Sequence, residues 1–94
     1  MEPINFNGKF DLSKTDGLIY NKYTQSGTLV ITITNPVPKG WAFVQIVANG
    51  STITLPSNFV KYGGDDISIV ASTVNHLQVF YLDNNTIYYT NKTV

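Results

Sequence analysis

The chain has 94 residues, no cysteine, and six lysines against six acidic residues, so its formal charge is zero. No disulfide can staple it and no thiolate is available for catalysis or metal binding, and the lack of any arginine or basic cluster argues against nucleic acid as a partner. No apolar run approaches about 18 residues, so no membrane-spanning helix is expected.

The opening MEPINFNGKF lacks the basic-then-apolar layout of a signal peptide, and residues 1–94 read as a complete, untargeted single domain. Gly, Pro, Asn and Asp interrupt the chain every few residues, with β-branched and aromatic residues between them. That spacing predicts an all-β fold of about seven to nine short strands, a sandwich or a barrel. Ile4-Asn5-Phe6 with Lys9-Phe10 forms a short N-terminal strand suited to a sheet edge. After the turn residues Thr15-Asp16-Gly17, 18–23 is a strand with Leu18 and Tyr20 on one side. In 27–34, Leu29, Ile31 and Ile33 face inward, while Thr28, Val30, Thr32 and Thr34 face out. Pro36 and Pro38 cannot donate to a ladder and end that strand.

In WAFVQIVANGSTITLP (41–56), Asn49-Gly50 suits a two-residue type I′ turn. The resulting hairpin would pair Ile46 with Ile53 and Val44 with Leu55, all four on the core side. Residues 58–62 form a brief strand before the loop Gly63-Gly64-Asp65-Asp66. Ile67–Ala71 is a further strand, with Ile67 and Ile69 inward.

The closing HLQVFYLDNNTIYYT (76–90) carries large apolar groups at consecutive positions, and neighbours in a strand point to opposite faces. A three-residue loop at Asp83-Asn84-Asn85 groups Leu77, Val79, Tyr81, Ile87 and Tyr89 on one face. Phe80, Leu82 and Tyr88 then share the other face with His76 and Gln78. A two-residue loop at Asn84-Asn85 would instead group Phe80, Leu82, Ile87 and Tyr89. The first register is preferred because it turns His76 and Gln78 outward. Either register leaves a second apolar surface, and such a surface beyond a few hundred Å² marks a contact site. The candidate interface residues are Trp41, Phe80, Leu82 and Tyr88. Trp41, after Pro38-Lys39-Gly40, can roof one end of the core, anchor a protein contact or stack on a sugar ring.

No chemistry emerges residue by residue, and no catalytic, cofactor-binding or metal-binding residue is assigned. His76 is the sole histidine, and no G-x-S-x-G or phosphate-binding glycine loop is present. Asp65-Asp66 could offer oxygens to Ca²⁺, but Glu2, Asp11, Asp16 and Asp83 are dispersed, and a polar turn is the simpler reading. One Glu, at position 2, leaves no carboxylate pair for glycoside hydrolysis. The N-x-S/T triplets at Asn49, Asn84 and Asn91 match what chance supplies in a chain rich in Asn, Ser and Thr.

Three stretches carry a family resemblance: FDLSKTDGLIYNKYTQSGTLVITITN, FVQIVANGSTITLPSNF and LQVFYLDNNTIYYTN. Their order resembles the small β-sandwich module of tailed-bacteriophage virion proteins, used in capsid decoration proteins, head fibres and tail or baseplate attachments. The pattern opens with a D-S-T-D-x-x-I-Y strand and a T-Q-x-G-x-L-x-I strand. It continues with an x-x-A-x-G hairpin and closes with an F-Y-x-D-G/N hairpin, Asn84 standing where Gly is common. The resemblance implies an antiparallel β-sandwich, jelly-roll or immunoglobulin-like, with no catalytic residues and no cofactor. It implies a stand-alone auxiliary protein on the capsid exterior, with the major capsid protein or other virion proteins as partners and self-association in the lattice. A head-fibre or tail attachment domain is the close alternative, and the AT-rich crAss-like phages are a fitting source. Outside the virion, a carbohydrate-binding module or adhesin would use Trp41 and exposed tyrosines as glycan platforms. Membrane and nucleic acid are not expected partners.

Overall fold

The computed structural model describes residues 4–83 and 85–94. Among them lie ten strands and no helix: β1 (Lys9–Asp11), β2 (Leu18–Ile19), β3 (Tyr23–Thr24), β4 (Leu29–Val30), β5 (Thr32–Thr34), β6 (Trp41–Val47), β7 (Ile53–Thr54), β8 (Phe59–Gly64), β9 (Val74–Tyr81) and β10 (Ile87–Thr93). The all-β expectation holds. The count exceeds seven to nine partly because 27–34 divides at Ile31 into β4 and β5, which join different sheets.

One six-stranded sheet dominates, in the order β2-β6-β9-β10-β8, with β3 also pairing β6. Period-two patterning explains its long strands. Ala42, Val44 and Ile46 of β6 are buried while Trp41, Phe43, Gln45 and Val47 are half-buried. Leu77 and Val79 of β9 have no exposed surface. The buried face of this sheet shares one core with Phe6, Phe10, Leu12, Leu29 and Ile31 from the smaller pairs and their connections. Each fully buried Leu, Ile or Phe there contributes about 1.5–3 kcal/mol of transfer free energy.

The expected antiparallel pairing is corrected. Five of the seven strand pairs are parallel: β1–β5, β8–β10, β2–β6, β3–β6 and β4–β7. Only β6–β9 and β9–β10 are antiparallel. Leu18 pairs with Ala42 and Leu29 with Ile53, each 24 positions on. The segment 18–30 therefore lies over 42–54 as one coil on the next, in the manner of a solenoid. The 41–56 hairpin does not form, although Val44 and Ile46 are buried and Ile53 and Leu55 pack against the core as expected.

Two observations account for this. A type I′ turn needs φ > 0 at both central residues, and only Gly50 has it, at 92°. The buried Gln25 also takes the groups at that corner. Its Oε1 accepts from Asn49 N at 3.1 Å, and its Nε2 donates to Ser51 O at 2.9 Å and Thr52 O at 3.1 Å.

The strand expected at 67–71 is absent as well. Ile67 packs on the core, but Ile69 and Val70 are exposed. The Asn75 side chain substitutes for a strand partner there. Its Oδ1 accepts from Ser68 N at 2.8 Å and its Nδ2 donates to Ser68 O at 2.9 Å. The last hairpin follows the preferred register, with Tyr81 opposite Ile87, Phe80 opposite Tyr88 and Val79 opposite Tyr89. The expectation about Gly at position 84 lies outside the described residues.

Candidate interface on the outer sheet face

The side of the six-stranded sheet turned away from the core is built by strand register. Trp41 pairs with Phe80, Phe80 with Tyr88, and Tyr88 with Val60, so one row runs across β6, β9, β10 and β8. The next row joins Ile19, Phe43, Gln78 and Thr90. A third holds Gln45, His76 and Lys92, and the His76 ring stacks on Phe43 with centroids 6.2 Å apart.

A register shift between β8 and β10 at Tyr89/Thr90 sets Tyr62 out of step. Such bulges re-aim side chains. The Tyr62 ring stands edge-on to Phe80 at 5.7 Å and to Tyr88 at 5.9 Å, while Phe80 and Tyr88 stack at 5.9 Å. Aromatic pairs in such geometry are worth about 0.5–1.5 kcal/mol beyond area burial, which holds the three rings as a preformed cluster. Tyr62 keeps 69% of its surface exposed and Ile19 63%.

Three of the four candidates, Trp41, Phe80 and Tyr88, thus share one row. Leu82 lies beyond the end of β9, exposed and outside it. Trp41 does not roof the core, since the core cluster excludes it. Its ring lies over Gly17 of the neighbouring chain segment, where φ is +90° and a Cβ would fall inside the ring. Two members of the face escaped sequence reasoning. Phe43 was legible from its two-residue spacing to Trp41. Tyr62 carried no signal, because its place depends on a bulge and on a parallel neighbour 28 positions away in the chain.

The rows through Trp41 and Phe43 hold no residue charged at neutral pH, and the third row brings Lys92. Lys61 bonds Asp66 at 2.6 Å, and that hydrogen bond and charge raise the Lys61 pKa above its usual value. The Asp65 carboxylate accepts from Thr93 N at 3.0 Å and Thr93 Oγ1 at 2.9 Å, which lowers its pKa. On the buried side Tyr20 is raised, chiefly by desolvation. Its hydroxyl accepts from Asp11 N and donates to Lys9 O.

A cleft of about 310 Å³ opens at one end of the core between Ile33, Pro36, Pro56, Tyr81 and Ile87. Its walls bring no acid–base pair together. Among the described residues, no three His, Cys, Asp or Glu are grouped as metal ligands, and no helix is long and apolar enough to cross a membrane. The arrangement offers an aromatic surface whose two rows through Trp41 and Phe43 carry no formal charge. No family model, curated protein or solved structure matches the chain.

Proposed function

We propose that the chain is a non-catalytic structural protein of a tailed-phage virion. In this reading it is an auxiliary or decoration protein on the capsid exterior that braces neighbouring capsomers through the major capsid protein or other virion proteins. The observation that carries this reading is the aromatic row Trp41–Phe80–Tyr88 with Tyr62. A surface rich in aromatic residues and depleted of charge has the composition of an interface core. Mechanism is passive in this reading: rigid strands present preformed rings, and repetition on a lattice makes weak contacts lasting.

The test is particle composition. Virions of the phage that carries this reading frame should contain the chain at a fixed copy number, and capsids lacking it should disassemble at lower temperature. Its absence from purified particles refutes the proposal. Retention on glycan columns that Trp41→Ala abolishes, without any capsid requirement, would move the reading to the carbohydrate-binding alternative.

A further inference from the structure

We infer that Asn49 is a site of spontaneous covalent modification. Its side-chain amide closes onto the Gly50 nitrogen, releases ammonia, and leaves aspartate or isoaspartate at the corner between β6 and β7. The inference goes beyond the virion reading and does not rest on it.

The chemistry belongs to the Asn-Gly pair. Gly50 N loses its proton to water, attacks Cγ of Asn49 and forms a new C–N bond. The bond from Cγ to Nδ2 breaks, and that nitrogen leaves as ammonia. Water then opens the cyclic imide. Opening at Cγ yields aspartate. Opening at the main-chain carbonyl yields isoaspartate, with the backbone routed through Cβ. Water is consumed and ammonia released in equal amounts, with no oxidant or reductant. Glycine favours the attack because no Cβ shields its nitrogen.

The sequence holds two such pairs, Asn7-Gly8 and Asn49-Gly50, and does not rank them. Both asparagines are exposed, and both form the same local turn. Asn7 Oδ1 accepts from Lys9 N at 3.1 Å, and Asn49 Oδ1 accepts from Ser51 N at 3.0 Å. Each bond folds the side chain back along the glycine that follows and polarises Cγ for attack.

The glycines separate the two sites. Gly8 is buried. A Cβ there would lie 2.9 Å from Val30 O, and the Gly8 carbonyl accepts from Thr32 N at 2.8 Å. The neighbouring segment 30–32 therefore clamps the peptide that would have to rotate. Gly50 is exposed, and nothing lies within 4 Å of where its Cβ would stand. No backbone hydrogen bond ties it to another described residue. Gln25 holds Asn49 N and Ser51 O on either side and leaves the Asn49–Gly50 peptide between them free to turn. Asp16-Gly17 could reach the same imide by losing water, but Gly17 N donates to Lys14 O at 3.3 Å and the Trp41 ring covers that glycine.

Either product adds a carboxylate to a chain of zero formal charge. Isoaspartate also lengthens the backbone at the corner that Gln25 binds.

The test is timed incubation of the full folded chain in mildly alkaline, ammonia-free buffer, followed by peptide mass mapping with isoaspartate detection at both sites. Conversion at Asn49 should run about tenfold or more faster than at Asn7, because the Thr32–Gly8 bond must break before the imide forms there, and one such bond is worth roughly that factor. In urea the two pairs should convert at similar rates, since the fold no longer separates them. Equal rates in the folded chain, faster conversion at Asn7, or no conversion at either site overturns the inference. So does a preference for Asn49 that survives in urea, because flanking sequence rather than the fold would then set it.

Discussion

Asn75 sits at the junction of three segments, and replacing it isolates what a buried amide contributes here. Its side chain has no exposed surface. Oδ1 accepts from Ser68 N and from Asn91 Nδ2, the latter at 3.1 Å, while Nδ2 donates to Ser68 O and, at 3.5 Å, to Ile46 O. Asn75→Ala removes all four bonds. Each typical hydrogen bond is worth about 1 kcal/mol net, and a buried group left unpaired costs about 1–3 kcal/mol. The two Ser68 groups lie in a partly buried loop and can rehydrate, so together they lose about 1–2 kcal/mol. Asn91 cannot rehydrate. It is 2% exposed and its Oδ1 has no partner within the protein, but its Nδ2 keeps Asp66 O at 3.3 Å, so losing one of two acceptors adds about 1 kcal/mol and the long bond to Ile46 O about 0.5–1 kcal/mol. The sum is about 3 kcal/mol, or a fall in Tm of roughly 12–24 °C for a chain of this size. Thermal unfolding followed by circular dichroism measures that shift. Amide exchange at Ser68 should also accelerate in Asn75→Ala before global unfolding begins. A Tm change below about 4 °C, equivalent to at most 1 kcal/mol, with Ser68 exchange unaltered, would refute the claim that this side chain stands in for a strand.

Gly17→Ala meets two penalties, the left-handed φ of +90° and the Trp41 ring, for a combined cost of about 2–4 kcal/mol. Gly50→Ala has a similar φ but open space around it, so about 1 kcal/mol is expected. Trp41 is the sole tryptophan, so its fluorescence should shift in Gly17→Ala alone, and an unshifted spectrum would contradict the packing. For Asp65 the sign follows from the depressed pKa that Thr93 donation produces. Its stabilising effect is complete above the usual carboxylate range and is lost as pH falls through the lowered value. Asp65→Ala should therefore flatten part of the acid limb of Tm at and below the usual carboxylate range, and an acid limb identical to wild type would contradict the assignment.

Much of the face assignment was written in local pattern. Leu18 and Tyr20 are buried while Ile19 is exposed, and Leu29 and Ile31 are buried while Val30 is exposed, because alternation needs only the period of a strand. Leu77 and Val79 are likewise buried, while Phe80 is half-buried. For the last hairpin that period also placed Phe80 and Tyr88 on one side, so half of the aromatic row was legible. Trp41 was singled out, but its position opposite Phe80 was not. Asn75, Asn91 and Gln25 were invisible, since a buried amide looks like a turn or surface residue until its backbone partners are known.

What the amino-acid order determined alone is which side of most strands is greasy and that Pro36 and Pro38 end one of them, because side-chain alternation and the missing proline donor act within a few bonds. Which strands become neighbours was decided by the tertiary structure. Asn49-Gly50 is competent for a hairpin, yet Gln25 holds its corner and Leu29-Val30 occupies the edge of Ile53-Thr54. Parallel partners some 23–28 positions apart carry no local signature, because their pairing is chosen by how the coils fill one shared core.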